Sequence, residues 1–332
     1  MKLHKRFGLF VVLLCLAGTA FAQKLEATWI GETDSYGIAA NINSQIDNIN
    51  VFPKDLLQGF ANASVFASHG ATQRAFGDFK LFSITTGFSV GFSLYDSPSS
   101  VINDFDNMEK KLKTDGDLGI GASIPAVFQF GLNSSFLIDG LYLGLRIGYI
   151  PLDNIISSDD FNLDYKIFHI GPVAHYRLLK GFDIGVVKWR GITVGTGFLF
   201  QKTTLDLSIA LENNYLQEPN LHFNMDVTTY TIPLEVNTSI QLLWFLNLDA
   251  GVGVDFAFGK NSTSISMDSG SDFQTGRLVV KGGGSESPTF LNPKIMFNMG
   301  FKFGPVIIDI PVNYYFLNSH GLSVGLTMGA VF

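Results

Sequence analysis

Apolar and polar residues alternate one for one through most of this chain. Phe82, Ile84, Thr86, Phe88, Val90, Phe92 and Leu94 share one face, and Ser83, Thr85, Gly87, Ser89, Gly91 and Ser93 the other. A period of two held over thirteen residues predicts a strand rather than a helix. The same alternation recurs at 120–132, 141–149, 168–178, 192–200, 232–242, 246–258, 291–303, 306–316 and 322–332. Each segment is about ten residues or more, the length a tilted strand needs to cross a bilayer.

What occupies the second face decides the class. In a soluble sandwich it would be rich in Lys and Glu. Here Leu246, Leu248, Ala250, Val252, Val254, Phe256 and Phe258 oppose Asn247, Asp249, Gly251, Gly253, Asp255 and Ala257. An apolar face toward lipid and a small, polar face toward a lumen is the two-residue repeat of a transmembrane barrel. The fold expected is therefore all-β: an antiparallel up-and-down transmembrane β-barrel of about ten strands. The count rises to 12 or 14 if Gln201 to Thr204 is a turn, or if 273–280 and 61–67 also pair. The phase slips between Phe200 and Leu205, as a bulge in one strand or a tight turn between two would make it do.

Connections sort by parity. With the C-terminus on the periplasmic side, the turns at Gly304, 243–245 and 133–140 fall inside and are short, although 179–191 is longer. The connections 95–118, 151–164, 212–220 and 259–290 fall outside, mostly long and polar, while 317–321 is short. Tyr149, Trp189, Trp244, Phe245 and Phe316 lie near strand ends, as interfacial girdle aromatics do.

The start of the chain reads differently. Lys2, Lys5 and Arg6, an apolar run over 7–16 and Ala20-Phe21-Ala22 form a secretory signal peptide over 1–22. A lipid-acylation reading of Cys15 is disfavoured by the bulky Leu13 and Leu14 before it. Cleavage after residue 22 removes three of the 22 Lys and Arg and no acid, leaving a net charge of −10 against 29 acidic residues. It also removes the single Cys, so disulfides and thiolate sites are absent and the acidic balance argues against nucleic acid. Over 23–75, Pro53 followed by Leu56, Leu57, Phe60, Ala61, Ser64 and Val65 predicts an amphipathic helix. It lies on the periplasmic side or folds into the barrel mouth as a plug. A second helix over 101–112 carries Asp104, Asp106, Glu109, Lys110 and Lys111 as a solvated face. The expected domains are 1–22, 23–75 and a barrel over 76–332.

Only 15% of the residues are charged, against about 25% in an average soluble domain, which weighs against a cytosolic enzyme. A soluble two-sheet sandwich would need more charge on its polar faces. Lumen-phase candidates for transport chemistry are Arg146, His169, His175, Arg177, Glu235, Asp249, Asp255, Lys294, Lys302 and Asp309. A charge at membrane depth is a functional hypothesis; the alternative is that a narrow barrel fills its interior with ion pairs.

Catalysis finds little support. A protease of the omptin kind needs paired acids and an Asp/His pair, and Asp104 with Asp106 supplies only the first, since none of His69, His169, His175, His222 or His320 follows an Asp by two. No strand sets Ser beside His on the lipid face for a phospholipase, and His320 reads as a turn residue. The His residues show no metal-ligand spacing, so no metal or cofactor is expected. Gly195-Thr196-Gly197 and Gly251-Val252-Gly253 lie inside alternating strands without a following helix, which excludes a phosphate loop.

Leu322, Val324, Leu326, Met328, Ala330 and the terminal Phe332 alternate to a C-terminal aromatic. This resembles the signal by which the barrel-assembly machinery recognises outer-membrane β-barrel proteins of diderm bacteria, with Leu326, Met328 and Phe332 at its centre. The likeness covers about 76–332. A plug-like N-terminal segment before an aromatic-rich barrel is similar to the long-chain fatty-acid transporter family. That family's Asn-Pro-Ala signature is absent; its nearest counterpart is Phe60-Ala61-Asn62-Ala63. The resemblance implies an outer-membrane location, lipid and the assembly machinery as partners, and a small-molecule solute.

The expected function is a channel or uptake route for small molecules, hydrophobic ones included, selected by pore width and lining charge. The alternative is a closed barrel with an adhesion or envelope-structural role, exposing 95–118 and 259–290.

Overall fold

The computed structural model describes residues 26–31, 39–40, 43, 54–68, 81–94, 120–158, 161–210, 220–268, 276–317 and 319–332. The expected signal peptide, the helix over 101–112 and the connection 95–118 lie outside these residues.

The described elements are β1 (Glu26–Gly31), α1 (Lys54–Ala67), β2 (Phe82–Leu94), β3 (Ile120–Ser123), β4 (Ala126–Asn133), β5 (Leu141–Ser158), β6 (Phe161–Ile184), β7 (Val187–Gly197), β8 (Leu199–Ala210), β9 (Asn220–Leu242), β10 (Leu246–Asp268), β11 (Gly276–Glu286), β12 (Leu291–Phe303), β13 (Val306–Leu317) and β14 (Ser319–Val331). Every pairing is antiparallel; successive ring positions pair with their neighbours in the chain, β14 closes on β2 with Leu322 opposite Phe92, and β1 pairs with the distant β11. Three ring positions are each built from two segments. β7 and β8 both pair with β6 and β9, in register where the two segments meet and with shifts farther along, between Arg177 and Leu179 and between Trp189 and Ile192; β11 and β12 pair with β10 in one register, and β3 and β4 both pair with β2. The breaks fall at or beside Pro125, Pro172, Pro233 and Pro288, which have no backbone N–H to give a ladder. The result is a closed antiparallel barrel with a ring of ten strands.

Along β10 the apolar outward residues run from Leu246 to Phe258. Twelve steps of about 3.3 Å on a strand tilted by about 40° rise roughly 30 Å, the thickness of a bilayer core. Aromatic rings mark both edges of this band. Phe200 packs on Tyr230 and Phe168, and Phe258 on Phe290, at the loop end. Trp244, Phe245 and Phe303 cluster at the other end, where Phe332 stacks on Phe82 at 4.8 Å. Tyr149 and Trp189 join the two edges, Tyr149 opposite Phe168 and Trp189 beside Phe182.

Above the loop-side aromatics the polarity of the wall inverts without any change of parity. On β9 the inward residues are apolar at Phe223, Met225 and Val227 and polar at Thr229, Thr231, Glu235 and Asn237. The outward residues switch the other way, from Asn224, Asp226 and Thr228 to Tyr230, Ile232, Leu234 and Val236. β8 and β10 switch in the same rows, between Phe200 and Lys202 and between Phe258 and Lys260, and β6 one outward residue farther on, between Phe168 and Lys166. Strands of 24, 23 and 23 residues at β6, β9 and β10 exceed the roughly ten needed to span a bilayer. They stand past it as a rim, with Leu163, Leu207, Phe223, Met225, Val227 and Ile265 forming a water-soluble type of core on its inner face. β11 and β1 continue this rim, Trp29 opposite Leu278. On the other side of the ring the β13–β14 ladder ends with Leu317 opposite Ser319, so among the described residues the rim is one-sided.

Three expectations are corrected here. Much of 151–164 and 259–290 is not loop but rim strand, within β5, β6, β10 and β11. The slip between Phe200 and Leu205 is neither bulge nor turn: Leu199, Gln201, Thr203, Leu205 and Leu207 all keep the inward face, and only the solvent outside has changed. The long inner connection at 179–191 is a hairpin continuing β6 and β7 to a tight turn at Gly185, fastened by Lys188 to Asp183 at 2.7 Å.

Candidate functional site

The lumen is where the sequence placed its chemistry. Inward positions are polar over the membrane band, and all ten candidates lie on the inward parity. Arg146, His169, His175, Glu235, Asp249, Asp255, Lys294 and Asp309 are buried, whereas Arg177 and Lys302, near the end that carries the C-terminus, are half-buried.

The ladder brings several of them together. β9, β10 and β12 are adjacent, with Gly253 opposite both Glu235 and Lys294. Glycine there leaves the room in which the Lys294 ammonium reaches Glu235 Oε1 at 2.6 Å and Asp255 Oδ1 at 2.8 Å, wholly out of solvent. Tyr315 on β13 donates its hydroxyl to Asp255 Oδ2 at 3.2 Å. Arg146 Nε donates to Gln129 Oε1 at 2.8 Å across β4 and β5. Asn298 Nδ2 donates to Asp249 Oδ2 at 2.5 Å and lies 3.5 Å from Asp309 Oδ1, so one amide serves acids of two strands. Arg177 lies over the Tyr142 ring, 5.8 Å from its centroid. At this end, outside the membrane band, Lys180 bonded to Asp139 at 2.9 Å holds that carboxyl below the usual range.

The neutral half of this lining was missed. Gln129, Gln201, Asn237, Asn261, Asn298 and Tyr315 are all buried inward residues. Parity would have found Asn237, Asn261, Asn298 and Tyr315, which alternate in phase with a named charge of the same strand, whereas Gln129 and Gln201 are found only by the register that sets them opposite Arg146 and His169.

α1 caps the filled lumen toward its loop end. Leu57, Ala61, Ala63, Val65, Phe66 and Ala67 have no exposed surface. The helix packs on β2, β3, β9, β10 and β14, and small residues on both sides allow the approach. A Cβ at Gly91 would meet the Ala63 carbonyl at 2.4 Å, and one at Gly321 the Phe66 ring at 2.2 Å. Polar wall residues serve the helix too. Gln201 Nε2 donates to Ser64 Oγ at 2.8 Å, Asn261 Nδ2 to the Leu57 carbonyl at 3.0 Å, and Ser89 Oγ to the Ala67 carbonyl at 2.7 Å. Asn62 exchanges two bonds with Thr289, receiving from its N–H at 2.7 Å. The last carbonyl and the helix-borne amide thus find partners that water cannot supply at this depth.

Outside the lumen the rim sets Ser208 beside His222 on paired strands, Oγ to Nδ1 at 3.0 Å. The sequence reading found no such neighbours because they come from different strands. The pair is exposed, several residues above the aromatic edge, and no acid orients the other ring nitrogen among the described residues. A nucleophile and base need that third group to act as a unit. No group of three or more His, Cys, Asp or Glu with metal-binding geometry occurs among the described residues.

Solved structures similar to this chain are distant. The translocator domain of the autotransporter NalP from Neisseria meningitidis aligns with 81% of this chain and 100% of its own at 9% identity and a TM-score of 0.38. The β-domain of the Bordetella autotransporter BrkA covers 76% and 100% at 10% identity and 0.34. A TodX monoaromatic hydrocarbon channel mutant covers 84% and 100% at 9% identity and 0.29. No curated protein matches the chain. A family profile does match, from residue 24 to the terminal Phe332, and by it the chain belongs to the Lsa36-like family.

Proposed function

We propose that this protein is an outer-membrane barrel whose lumen is closed by its own N-terminal helix and which acts, without catalysis, through the rim and loops it presents at the cell surface. The observation that carries the reading is the seat of α1, buried among lumen side chains that hydrogen-bond to it and, at Lys294 and Glu235, pair with each other out of solvent. A pore lining would face water. Here Lys294, Asp255 and Asp309 have no exposed surface. The one-sided rim adds to this: four or more long strands build a second, soluble type of core outside the bilayer, structure that a passive pore does not require.

A second reading, a gated uptake route, is favoured by one feature. Among the described residues α1 is held by side-chain hydrogen bonds and van der Waals contact, so a conformation with the helix withdrawn would open the lumen to a small solute.

Because the mature chain has no Cys, single cysteines can report the surface directly. With a membrane-impermeant maleimide applied to intact cells, Ser264→Cys on the outward rim labels, while Thr85→Cys in the lumen does not. Rim labelling that appears only after the envelope is permeabilised would sink surface display.

A further inference from the structure

We propose that the outward face of β8, β9 and β10 just above the membrane carries a binding site for a phosphate-bearing lipid headgroup of the loop-side leaflet, made by Lys202, Thr228 and Lys260. The inference rests on the membrane placement argued above and adds a ligand to it.

The three residues form one row. Lys202 is directly opposite Thr228, and Thr228 directly opposite Lys260. All three point outward, with both lysines exposed and Thr228 half-buried between them. Two strand spacings of about 4.8 Å separate the lysine backbones, a gap that two flexible four-carbon stems can close over one phosphate with the Thr228 hydroxyl beneath it.

Height is the second observation. Two residues down each strand, toward the bilayer, lie Phe200, Tyr230 and Phe258, themselves mutually opposite. Phe200 and Tyr230 are in ring contact at 5.2 Å between centroids. Lysines one step outside an aromatic girdle lie at headgroup level, where an anionic lipid places its phosphate.

Charge is the third. Lys166 on β6, opposite Thr204 and so one outward residue beyond the row of Lys202, is neutralised by Asp153 at 2.8 Å. Lys202 and Lys260 have no such acid among the described residues. The acid in the next row, Asp226, accepts a hydrogen bond from Thr204 Oγ1 at 2.8 Å. In a chain of net charge −7, two ammonium groups without an ion-pair partner among the described residues, flanking a hydroxyl at headgroup height, are complementary to phosphate.

The test is native mass spectrometry of the folded barrel released from nanodiscs of phosphatidylcholine containing a minor fraction of phosphatidylglycerol. The wild type retains phosphatidylglycerol selectively. The Lys202→Gln, Lys260→Gln double variant loses that preference about 25-fold, the effect of roughly 1 kcal/mol per lysine at an anionic surface. A Lys180→Gln, Lys188→Gln variant, carrying the same net change at the opposite end, retains it. Inorganic phosphate at millimolar concentration does not displace the lipid; displacement would mean a free-anion site and overturn the lipid assignment. Equal retention by wild type and the double variant would also overturn it. Failure of the barrel to insert into pure phosphatidylcholine nanodiscs would instead remove the membrane reading beneath it, so the two failures are told apart.

Discussion

Phe66 of the helix stacks on Tyr315 of the wall, their ring centroids 3.9 Å apart and their planes 20° from parallel. The hydroxyl of Tyr315 reaches Asp255, and Asp255 reaches Lys294. The plug and the buried charges are therefore one structure, and disturbing either disturbs both. Phe66→Ala removes a buried ring for which no neighbour substitutes and is expected to cost about 3–5 kcal/mol. Tyr315→Phe keeps the stack and removes one hydrogen bond, at about 1 kcal/mol. Urea unfolding of the barrel in lipid, followed by tryptophan fluorescence, measures both; equal effects would separate helix from network.

Lys294 compensates two acids at once. Lys294→Met removes the ammonium bonded to both Glu235 and Asp255 and should destabilise the barrel by about 3–5 kcal/mol. Adding Glu235→Gln and Asp255→Asn removes the stranded charge and should recover most of that loss. The unfolding midpoints of the single and triple variants decide it, and a triple variant weaker than the single one would contradict the assignment of these three residues as a structural ion-pair cluster.

The helix seat depends on two missing side chains. Gly91→Val drives a Cβ to 2.4 Å from the Ala63 carbonyl, and neither backbone can retreat. The ring remains closed through β14 and β2, but α1 is expelled, and a protease that leaves the wild type intact cuts within 54–67. Resistance equal to wild type would show that the helix tolerates a wider seat.

β1 pairs with β11 in the rim, at the end of the barrel away from the C-terminus. The segment preceding the barrel therefore has its first described strand outside the membrane, while β2 begins beside Phe332 at the opposite end. An epitope inserted immediately before Glu26 should bind antibody on intact cells. One appended after Phe332 should bind only after permeabilisation; the reverse pattern would invert the barrel.

Membrane strands were legible in this sequence because lipid and lumen impose opposite polarity on successive residues. The segments 82–94 and 291–303 coincide with β2 and β12. The rim was not legible, and the reason is physical rather than statistical. Where β8 leaves the bilayer, water replaces lipid outside and apolar packing replaces the polar lumen inside, so Leu205 and Leu207 carry on the inward face that Gln201 began. Hydrophobicity then looks out of phase although the strand is not. α1 was found from the helical spacing of Leu57, Phe60, Ala61, Ser64 and Val65, but its seat depends on Gly91, Gly321, Gln201 and Asn261, which are distant in sequence and carry no local signal. Among the lumen charges, parity gave the direction of each side chain. Only the ladder register shows that Glu235, Asp255 and Lys294 meet.

Single-channel recording of the folded full-length mature chain in planar bilayers tests the closed lumen most directly, with a heat-modifiability gel to confirm folding. With α1 seated and the lysine and acids paired beneath it, the recording is silent across moderate applied voltages. Steady, reproducible conductance steps from protein shown to be folded would contradict a barrel closed by its own helix.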